Sequence, residues 1–256
     1  MAWFDWGVLM VAATAAGWVD AVVGGGGLIL LPAILITMPQ LSPQMALATN
    51  KLTAINGTAA AVFTFSRKVA MQWRLMIPAA VLAAVFAGLG AAAVSLIDKA
   101  LFIPIVMVLL VAIAVFVTMR PTLGTTLVHH QPSPVRVWTT VLVAGGVIGF
   151  YDGLLGPGTG TFLIVTFAVM LGTEFVRSAA MAKVINLGSN LGALIFFAAT
   201  GNVWWTLGLA MAACNVLGAV LGARMALAKG AGFIRIVLLV VVVVMVIRLG
   251  WQQFAH

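Results

Sequence analysis

Charge is scarce in this chain, and its scarcity excludes the commonest class of protein. Of the 256 residues, 7% are Asp, Glu, Lys or Arg and 64% are hydrophobic, and the mean hydropathy is +1.21. A soluble domain has about a quarter of its residues charged. The composition therefore predicts an all-α polytopic membrane protein whose surroundings are the lipid bilayer.

Acidic residues are the scarcest charged group. There are 5 of them against 13 basic residues, which gives a net charge of +8. In membrane proteins Lys and Arg concentrate in cytoplasmic loops, and no stretch of this chain interleaves basic with aromatic residues. The positive charge therefore does not indicate a nucleic-acid partner.

Cysteine and clustered histidine are also nearly absent. The single Cys214 lies in an apolar run, which excludes a disulfide framework.

The N-terminal MAWFDWGVLM has no positive charge and carries Asp5, so a cleaved signal peptide is not expected. His129 and His130 are adjacent and have no further ligands nearby, so neither a metal site nor a cofactor is predicted.

Long hydrophobic runs dominate the rest of the chain. They cover 6–37, 45–66, 75–97, 101–119, 137–171, 179–199, 204–223 and 233–250. A membrane crossing needs about 20 residues, so the first and the fifth run are too long for one crossing. Both contain a glycine-rich break, which predicts broken or re-entrant segments.

The first break lies in GWVDAVVGGGGLILLP, residues 17–32. It places the carboxylate of Asp20, the glycines Gly24–Gly27 and Pro32 inside an apolar run. Each glycine lowers helix stability by about 1 kcal/mol relative to Ala, Pro32 removes a backbone donor, and a carboxylate at membrane depth usually marks a pathway or site. The stretch predicts a broken helix that meets a small polar ligand.

The second half of the chain repeats this pattern. A shift of 132 residues places Asp20 on Asp152, Lys51 on Lys183, Gly24 on Gly156 and Gly26 on Gly158. We therefore predict two homologous halves, 1–119 and 137–256, joined by a linker over 120–136. Repeats with matching broken segments are typical of secondary transporters.

Loop charge predicts how the halves are oriented. If both long segments are hairpins, one face carries Arg67, Lys68, Arg74, Arg120, Arg136, Arg177, Arg224, Lys229 and Arg235, and the other face carries Lys99 and Arg248. The positive-inside rule then predicts inverted repeats, a cytoplasmic linker and both termini outside. Eight single crossings would divide the charges almost evenly.

Two acidic and two basic residues at membrane depth are the candidates for chemistry. Asp20 and Asp152 either exchange protons from a low-dielectric pocket or cap neighbouring half-helices. Lys51 and Lys183 either bind an anion or form structural ion pairs with the aspartates. Further candidate ligands are neutral amides and glycine backbones, which approach an anion closely and can present a helix N-terminus to it: Asn50, Asn186, Asn190, Gly25, Gly26 and Gly158.

Residues 17–32, their echo GFYDGLLGPGTG at 149–160, and Ala48-Thr-Asn-Lys51 resemble the TauE/SafE family of sulfite exporters, also called the 4-toluene sulfonate uptake permease family. The resemblance covers nearly the whole chain and looks most like the inner-membrane transporter branch. It implies proton-coupled secondary transport of sulfur-containing anions such as sulfite, sulfoacetate and other organosulfonates. Because Gly25 and Gly27 become Pro157 and Thr159 in the echo, the second loop is expected to be stiffer and more polar.

The sequence therefore favours a transporter, not an enzyme, with a small anion and protons as partners and a homodimer left open. Two alternatives remain. Asp20 and Asp152 would form the dyad of an intramembrane aspartyl hydrolase if they shared a proton, although the Gly-x-Gly-Asp signature is missing. A membrane assembly protein without transport activity would use the same charges only for structure.

Overall fold

The computed structural model describes residues 3–98, 101, 102, 104, 105, 108 and 133–254. Within them every regular element is helical, which confirms the all-α class: α1 Trp3–Val23, α2 Gly26–Thr37, α3 Pro43–Ser66, α4 Trp73–Ala93, α5 Pro134–Leu154, α6 Thr159–Leu171, α7 Phe175–Ala199 and α8 Trp205–Phe254. A short 3₁₀ turn, Val94–Leu96, follows α4, and α5 contains a π-helical stretch, Leu142–Val147. Most of the predicted segment 101–119, and most of the 120–136 linker with His129 and His130, lie outside the described residues.

Five helices in the described ranges are long and apolar enough to cross a membrane, namely Trp3–Val23, Trp73–Leu96, Pro134–Leu154, Phe175–Ala199 and Trp205–Gly230. These spans and the overall composition identify a polytopic membrane protein. The helix α3 has 24 residues, which is a comparable length, but its Thr, Asn and Lys side chains make it less apolar. In α8 the helical backbone breaks at Gly230, where φ is 69°, between the seventh and eighth predicted segments.

Both long glycine-rich segments are hairpins. In the first, two contacts show that α2 turns back along α1. A Cβ on Gly26 at the start of α2 would lie 2.6 Å from the Cβ of Asp20 near the end of α1. Phe4 near the start of α1 and Thr37 at the end of α2 line the same groove. In the second, the guanidinium of Arg136 near the start of α5 donates to the carbonyl of Val169 near the end of α6 at 2.7 Å. The predicted broken segments are thus confirmed as paired helices that return towards their own start.

The returning helices are too short to cross a bilayer. The helix α2 has 12 residues and α6 has 13, which at 1.5 Å per residue gives lengths of about 18 and 20 Å. The hydrocarbon core is about 30 Å thick. Each hairpin therefore ends inside the helix bundle.

Small residues set the directions in which the helices pack. Four glycines lie so close to the backbone of α4 that a Cβ on any of them would come within 3 Å of it. On α5, Gly149 faces Ala83 and Gly153 faces Ala87. On α7, Gly188 faces Ala80 and Gly192 faces Ala84. In each pair of helices the residue numbers of the contacting residues rise together, so α4, α5 and α7 run parallel to one another. Likewise Gly218 and Gly222 of α8 meet Thr14 and Trp18 of α1. Contacts of Leu52 with Gly208 and of Gly57 with Asn215 add α3 to this second direction.

These directions bring the basic residues to one end of the bundle. The end of α3, the starts of α4, α5 and α7, and the break in α8 all lie there. Within about two helical turns of these ends are Arg67, Lys68, Arg74, Arg136, Arg177, Arg224 and Lys229. We call this the basic end. Of the nine charges predicted to share a face, Arg120 and the side chain of Arg235 are not among those described.

Candidate functional site

The tips of the two hairpins meet backbone to backbone. Gly24 has a φ of +77°, and a Cβ there would lie 2.3 Å from the carbonyl carbon of Gly160. The hydroxyl of Thr161 donates to the carbonyl of Val23 at 2.9 Å. Gly156 (φ +87°) and Gly158 (φ +79°) turn the second tip. Only glycine combines positive φ with this close approach, so the glycine runs allow the two tips to touch.

Two ion pairs lie beside these tips, and each connects one half of the chain with the other. Lys51 on α3 is 2.8 Å from Asp152 on α5, and Lys183 on α7 is 2.8 Å from Asp20 on α1. The two lysine side chains are 1% and 0% exposed. The structure thus brings together all four charged residues that the sequence placed at membrane depth, and it pairs them crosswise.

The two pairs occupy different depths. Lys51 is the ninth residue of α3 and Lys183 is the ninth residue of α7, so each lies about 12 Å along its helix. Because α3 and α7 run in opposite directions, the Lys183–Asp20 pair lies nearer the basic end. The Lys51–Asp152 pair lies nearer the opposite end.

Asp152 is enclosed, and within the described residues only its Oδ1 atom accepts a hydrogen bond, since Oδ2 lies near Lys51 Nζ without a hydrogen-bond partner. Its side chain is 2% exposed, and its Oδ1 accepts a hydrogen bond from the hydroxyl of Thr159 at 2.7 Å. The same hydroxyl lies 2.8 Å from the carbonyl of Gly156. The loop between α5 and α6 is also held by the hydroxyl of Tyr151, which donates to the carbonyl of Pro157. Several bonds therefore converge on this tip.

Asp20 is held more loosely. Its side chain is 17% exposed. The amide of Gly26, the first residue of α2, donates to its Oδ1 at 3.4 Å, which is the geometry of a weak N-terminal cap. The hydroxyl of Thr58 donates to its Oδ2 at 3.5 Å. Lys183 donates a further hydrogen bond to its Oδ2 at 2.8 Å, and together these are the hydrogen-bond donors to the Asp20 carboxylate among the described residues.

The predicted neutral ligands differ in their surroundings. Asn186 and Asn190 follow Lys183 by three and seven residues, so they lie on the same face of α7. They are 6% and 3% exposed. Neither amide side chain has a hydrogen-bond partner in the part of the chain that the structure describes. The Oδ1 atom of Asn50 is also buried there without a partner. The polar atoms named here therefore have no hydrogen bond to the described part of the protein.

The predicted glycine ligands have clear steric surroundings. Gly25 is the cap residue before α2, and a Cβ on it would lie 3.2 Å from the Leu28 side chain. At Gly26 a Cβ would overlap α1, so its backbone approaches Asp20 closely. Gly158 caps α6 in the left-handed region. The backbone of Gly26 is therefore packed tightly against α1.

Sequence reasoning missed three residues that shape the site. These are Thr58 and Thr159, which donate to the two aspartates, and Tyr151, which holds the second loop. The spacing of Thr159 from Asp152 within one motif was a usable signal. No sequence signal pointed to Thr58, because its contact with Asp20 joins residues 38 positions apart.

Paired hairpins and buried crosswise ion pairs define a polytopic membrane protein with a charged site in its interior. The family described as "Sulfite exporter TauE/SafE" matches residues 9–249. The chain belongs to this family, which confirms the resemblance seen in its motifs.

The chain is also similar to several curated membrane proteins. It is 38% identical over 241 residues to the "Probable membrane transporter protein ORF9" of Sinorhizobium sp, covering 94% of this chain and 90% of the relative. It is 34% identical to a "Probable membrane transporter protein" of Haemophilus influenzae, covering 96% of both chains. It is 34% identical to "Probable membrane transporter protein YfcA" of Escherichia coli K12, covering 96% of this chain and 90% of the relative. No solved structure matches. The family and these relatives make the chain a membrane transporter.

Proposed function

We propose that the protein is a secondary transporter of small sulfur-containing anions, such as sulfite or an organosulfonate like sulfoacetate, and that transport is coupled to protons. The observation that carries this proposal is the pair of buried, crosswise Lys–Asp contacts at the meeting point of two re-entrant hairpins. The family description supplies the sulfur-containing substrate class. The protein acts as a carrier and not as an enzyme.

Charge balance explains how the site couples an anion to a proton. Two lysines and two aspartates make the empty site neutral, so it rests without a counterion inside the bilayer. When a proton neutralises an aspartate, its lysine keeps its charge and loses its partner. An anion then replaces the carboxylate as the partner of that lysine, because an unpaired charge in a low dielectric is strongly unfavourable. Each proton thus admits one negative charge.

The ligands of the anion follow from the free groups around the lysines. Lys51 and Lys183 supply charge, and Asn186 and Asn190 supply buried amide donors. Asn50 adds an amide whose Oδ1 atom lacks a partner and whose NH₂ group is the donor that an anion would need. The tips of the hairpins at Gly25, Gly26 and Gly158 supply backbone and the positive ends of α2 and α6. These groups suit a small oxyanion, which accepts several hydrogen bonds at once.

We also propose that residues 1–119 and 137–256 are inverted repeats. The supporting observation is that α1 runs opposite to α5, α3 opposite to α7 and α4 opposite to α8. The basic end then faces the cytoplasm, the membrane is the bacterial inner membrane, and both termini lie outside.

The hydrolase alternative is less well supported. A shared-proton dyad needs two carboxylates in contact, whereas Asp20 and Asp152 each contact a lysine of the other half. An assembly role without transport is consistent with the ion pairs, but it gives no function to the amides of Asn186 and Asn190.

The test is uptake into liposomes that contain the purified protein. Sulfite and sulfoacetate are supplied outside with an imposed inward proton gradient, and taurine, acetate and phosphate serve as comparison solutes. The expected result is accumulation of sulfite or sulfoacetate that collapses when a protonophore removes the gradient. Uptake of neither in protein that retains its helical spectrum would refute the proposed substrate class.

A thermal-shift screen with the same anions separates binding from transport. An anion at a hundred times its dissociation constant stabilises the folded state by about 2.7 kcal/mol. Asn215→Ala is the matched control for changes in the site, because Asn215 is buried at a helix contact where its amide donates to the carbonyl of Ala13 at 2.8 Å. A variant of the site should lose anion stabilisation, whereas this control should keep it.

A further inference from the structure

The two ion pairs are chemically unequal. The Asp20 side chain is 17% exposed and that of Asp152 is 2% exposed. The hydroxyl bond to Asp152 is 2.7 Å long, whereas the one to Asp20 is 3.5 Å. Water, and with it a proton, has a path to the partly exposed carboxylate of Asp20 and no such path to the enclosed carboxylate of Asp152. The two aspartates therefore differ in how readily a proton reaches them.

The repeat register shows where the difference originates. Thr159, which holds Asp152, corresponds to Gly27 in the first half, so Asp20 has no hydroxyl in that position. Tyr151 likewise corresponds to Val19. The second loop is thus held by hydroxyl side chains that the first loop lacks. The two halves of the site therefore differ in the hydrogen bonds that hold their loops.

The free amides follow the same division. Asn186 and Asn190 lie on the face of α7 that carries Lys183. The corresponding positions beyond Lys51 on α3 are Ala54 and Thr58, and the Thr58 hydroxyl is already bonded to Asp20. Asn50 is adjacent to Lys51 in sequence, so its side chain leaves the helix about 100° away. Two amide side chains therefore share a helix face with Lys183, whereas neither of the corresponding positions beside Lys51 carries an amide.

We propose that the Lys183–Asp20 pair alone opens to admit the proton and the anion, and that Thr159 holds the Lys51–Asp152 pair closed as a fixed clamp on the second hairpin. This rests on the proposed transport function and assigns its steps to one half-site. The proton binds Asp20, Lys183 turns to the anion, and the amides of Asn186 and Asn190 complete its shell. Asp152 keeps its contact with Lys51 throughout.

The surroundings of Asp20 support a single titrating group. From α7 it meets Lys183, from α3 the hydroxyl of Thr58, and from α2 the amide of Gly26. Within the described ranges no further charged side chain contacts it from α6 or α8. Its protonation therefore depends on Lys183 and on the anion that competes for that lysine.

The experiment compares Asp20→Asn with Asp152→Asn, which are the same isosteric change in the two halves. Each purified variant is titrated with sulfite and with sulfoacetate by thermal shift at an acidic and an alkaline pH. Wild-type protein should bind more tightly at acidic pH. Asp20→Asn imitates the protonated state, so its affinity should become independent of pH. Asp152→Asn should keep the wild-type pH dependence.

The lysines provide a second comparison. Lys183→Met should weaken anion binding by at least about tenfold, whereas Lys51→Met should weaken it less and should lower the unfolding temperature. Loss of pH dependence in Asp152→Asn, or equal loss of affinity in both lysine variants, would overturn the division of roles. A wild-type protein that no anion stabilises would instead refute the proposed function, and this inference with it.

Thr159→Val keeps the test decisive if Asp152→Asn or Lys51→Met does not fold. It removes only the hydroxyl that holds Asp152, and Thr58→Val removes the matching hydroxyl from Asp20. Thr58→Val should make Asp20 easier to protonate and extend anion binding to higher pH. Thr159→Val should lower thermal stability without moving the pH profile of binding. A shift of that profile by Thr159→Val as large as the shift by Thr58→Val would contradict the proposal.

Discussion

Gly24 and Gly160 touch through their backbones, and a side chain on either would occupy the space of the other. A Cβ on Gly24 would lie 2.3 Å from the carbonyl carbon of Gly160, and a Cβ on Gly160 would lie 2.3 Å from the Cα of Gly24. These two residues belong to hairpins more than 130 positions apart. Their contact joins the two halves of the chain beside both ion pairs.

The first prediction follows from this contact. Gly24→Ala should prevent the tips from meeting, because its φ of +77° and the facing backbone both exclude a Cβ. We expect a folded state destabilised by more than about 3 kcal/mol, measured as the unfolding temperature in detergent. Gly7→Ala on α1 is the control, since a Cβ there meets nothing within 4 Å. Equal unfolding temperatures in the two variants would contradict the packing of the tips.

The second prediction concerns the crosswise pairing. Lys183→Met should leave Asp20 without its charged partner and lower stability by about 3–5 kcal/mol. Combining it with Asp20→Asn should restore much of that loss, because no uncompensated charge remains. Combining Lys183→Met with Asp152→Asn should instead make the loss larger. The unfolding temperatures of the single variant and the two double variants show which aspartate pairs with Lys183. If Asp152→Asn restored the stability, Lys183 would pair with Asp152 and not with Asp20.

The third prediction separates a free amide from a structural one. Asn186→Ala should change stability by less than about 1 kcal/mol, because its amide has no protein partner in the described part of the chain. It should weaken anion binding by roughly tenfold to a hundredfold, the value of a hydrogen bond to a charged group. Asn215→Ala should do the reverse, since its amide bonds to the carbonyl of Ala13. Anion titration and thermal unfolding of both variants test the assignment.

The fourth prediction concerns orientation. With Cys214 replaced by Ala, a new cysteine at Lys68 should react with a membrane-impermeant thiol reagent only from the cytoplasmic side. A new cysteine at Thr200 should react only from outside, because α7 carries it to the end opposite the basic one. Both positions are exposed. Labelling of intact and of permeabilised cells gives the comparison, and external labelling at Lys68 would invert the proposed topology.

Much of the architecture followed from local patterns. Apolar runs of membrane length, glycine-rich breaks and the distribution of Lys and Arg predicted an all-α membrane protein with two hairpins, because burial in lipid demands helices with satisfied backbones. The recurrence of Asp20 and Lys51 at Asp152 and Lys183 marked the charged site. Charge in an apolar run is unfavourable enough to be informative without any tertiary contact.

The pairing and its inequality were decided only in three dimensions. Either lysine was an acceptable partner for Asp20 in sequence, and the crosswise choice depends on the directions in which α3 and α7 pack between the halves. The support that Thr58 gives to Asp20, and the contact of Gly24 with Gly160, join residues that no spacing connects. The sequence by itself determined which residues had to be buried and charged, because composition and periodicity act locally. The tertiary structure decided which of them meet, because long-range packing chooses among partners of equal chemistry.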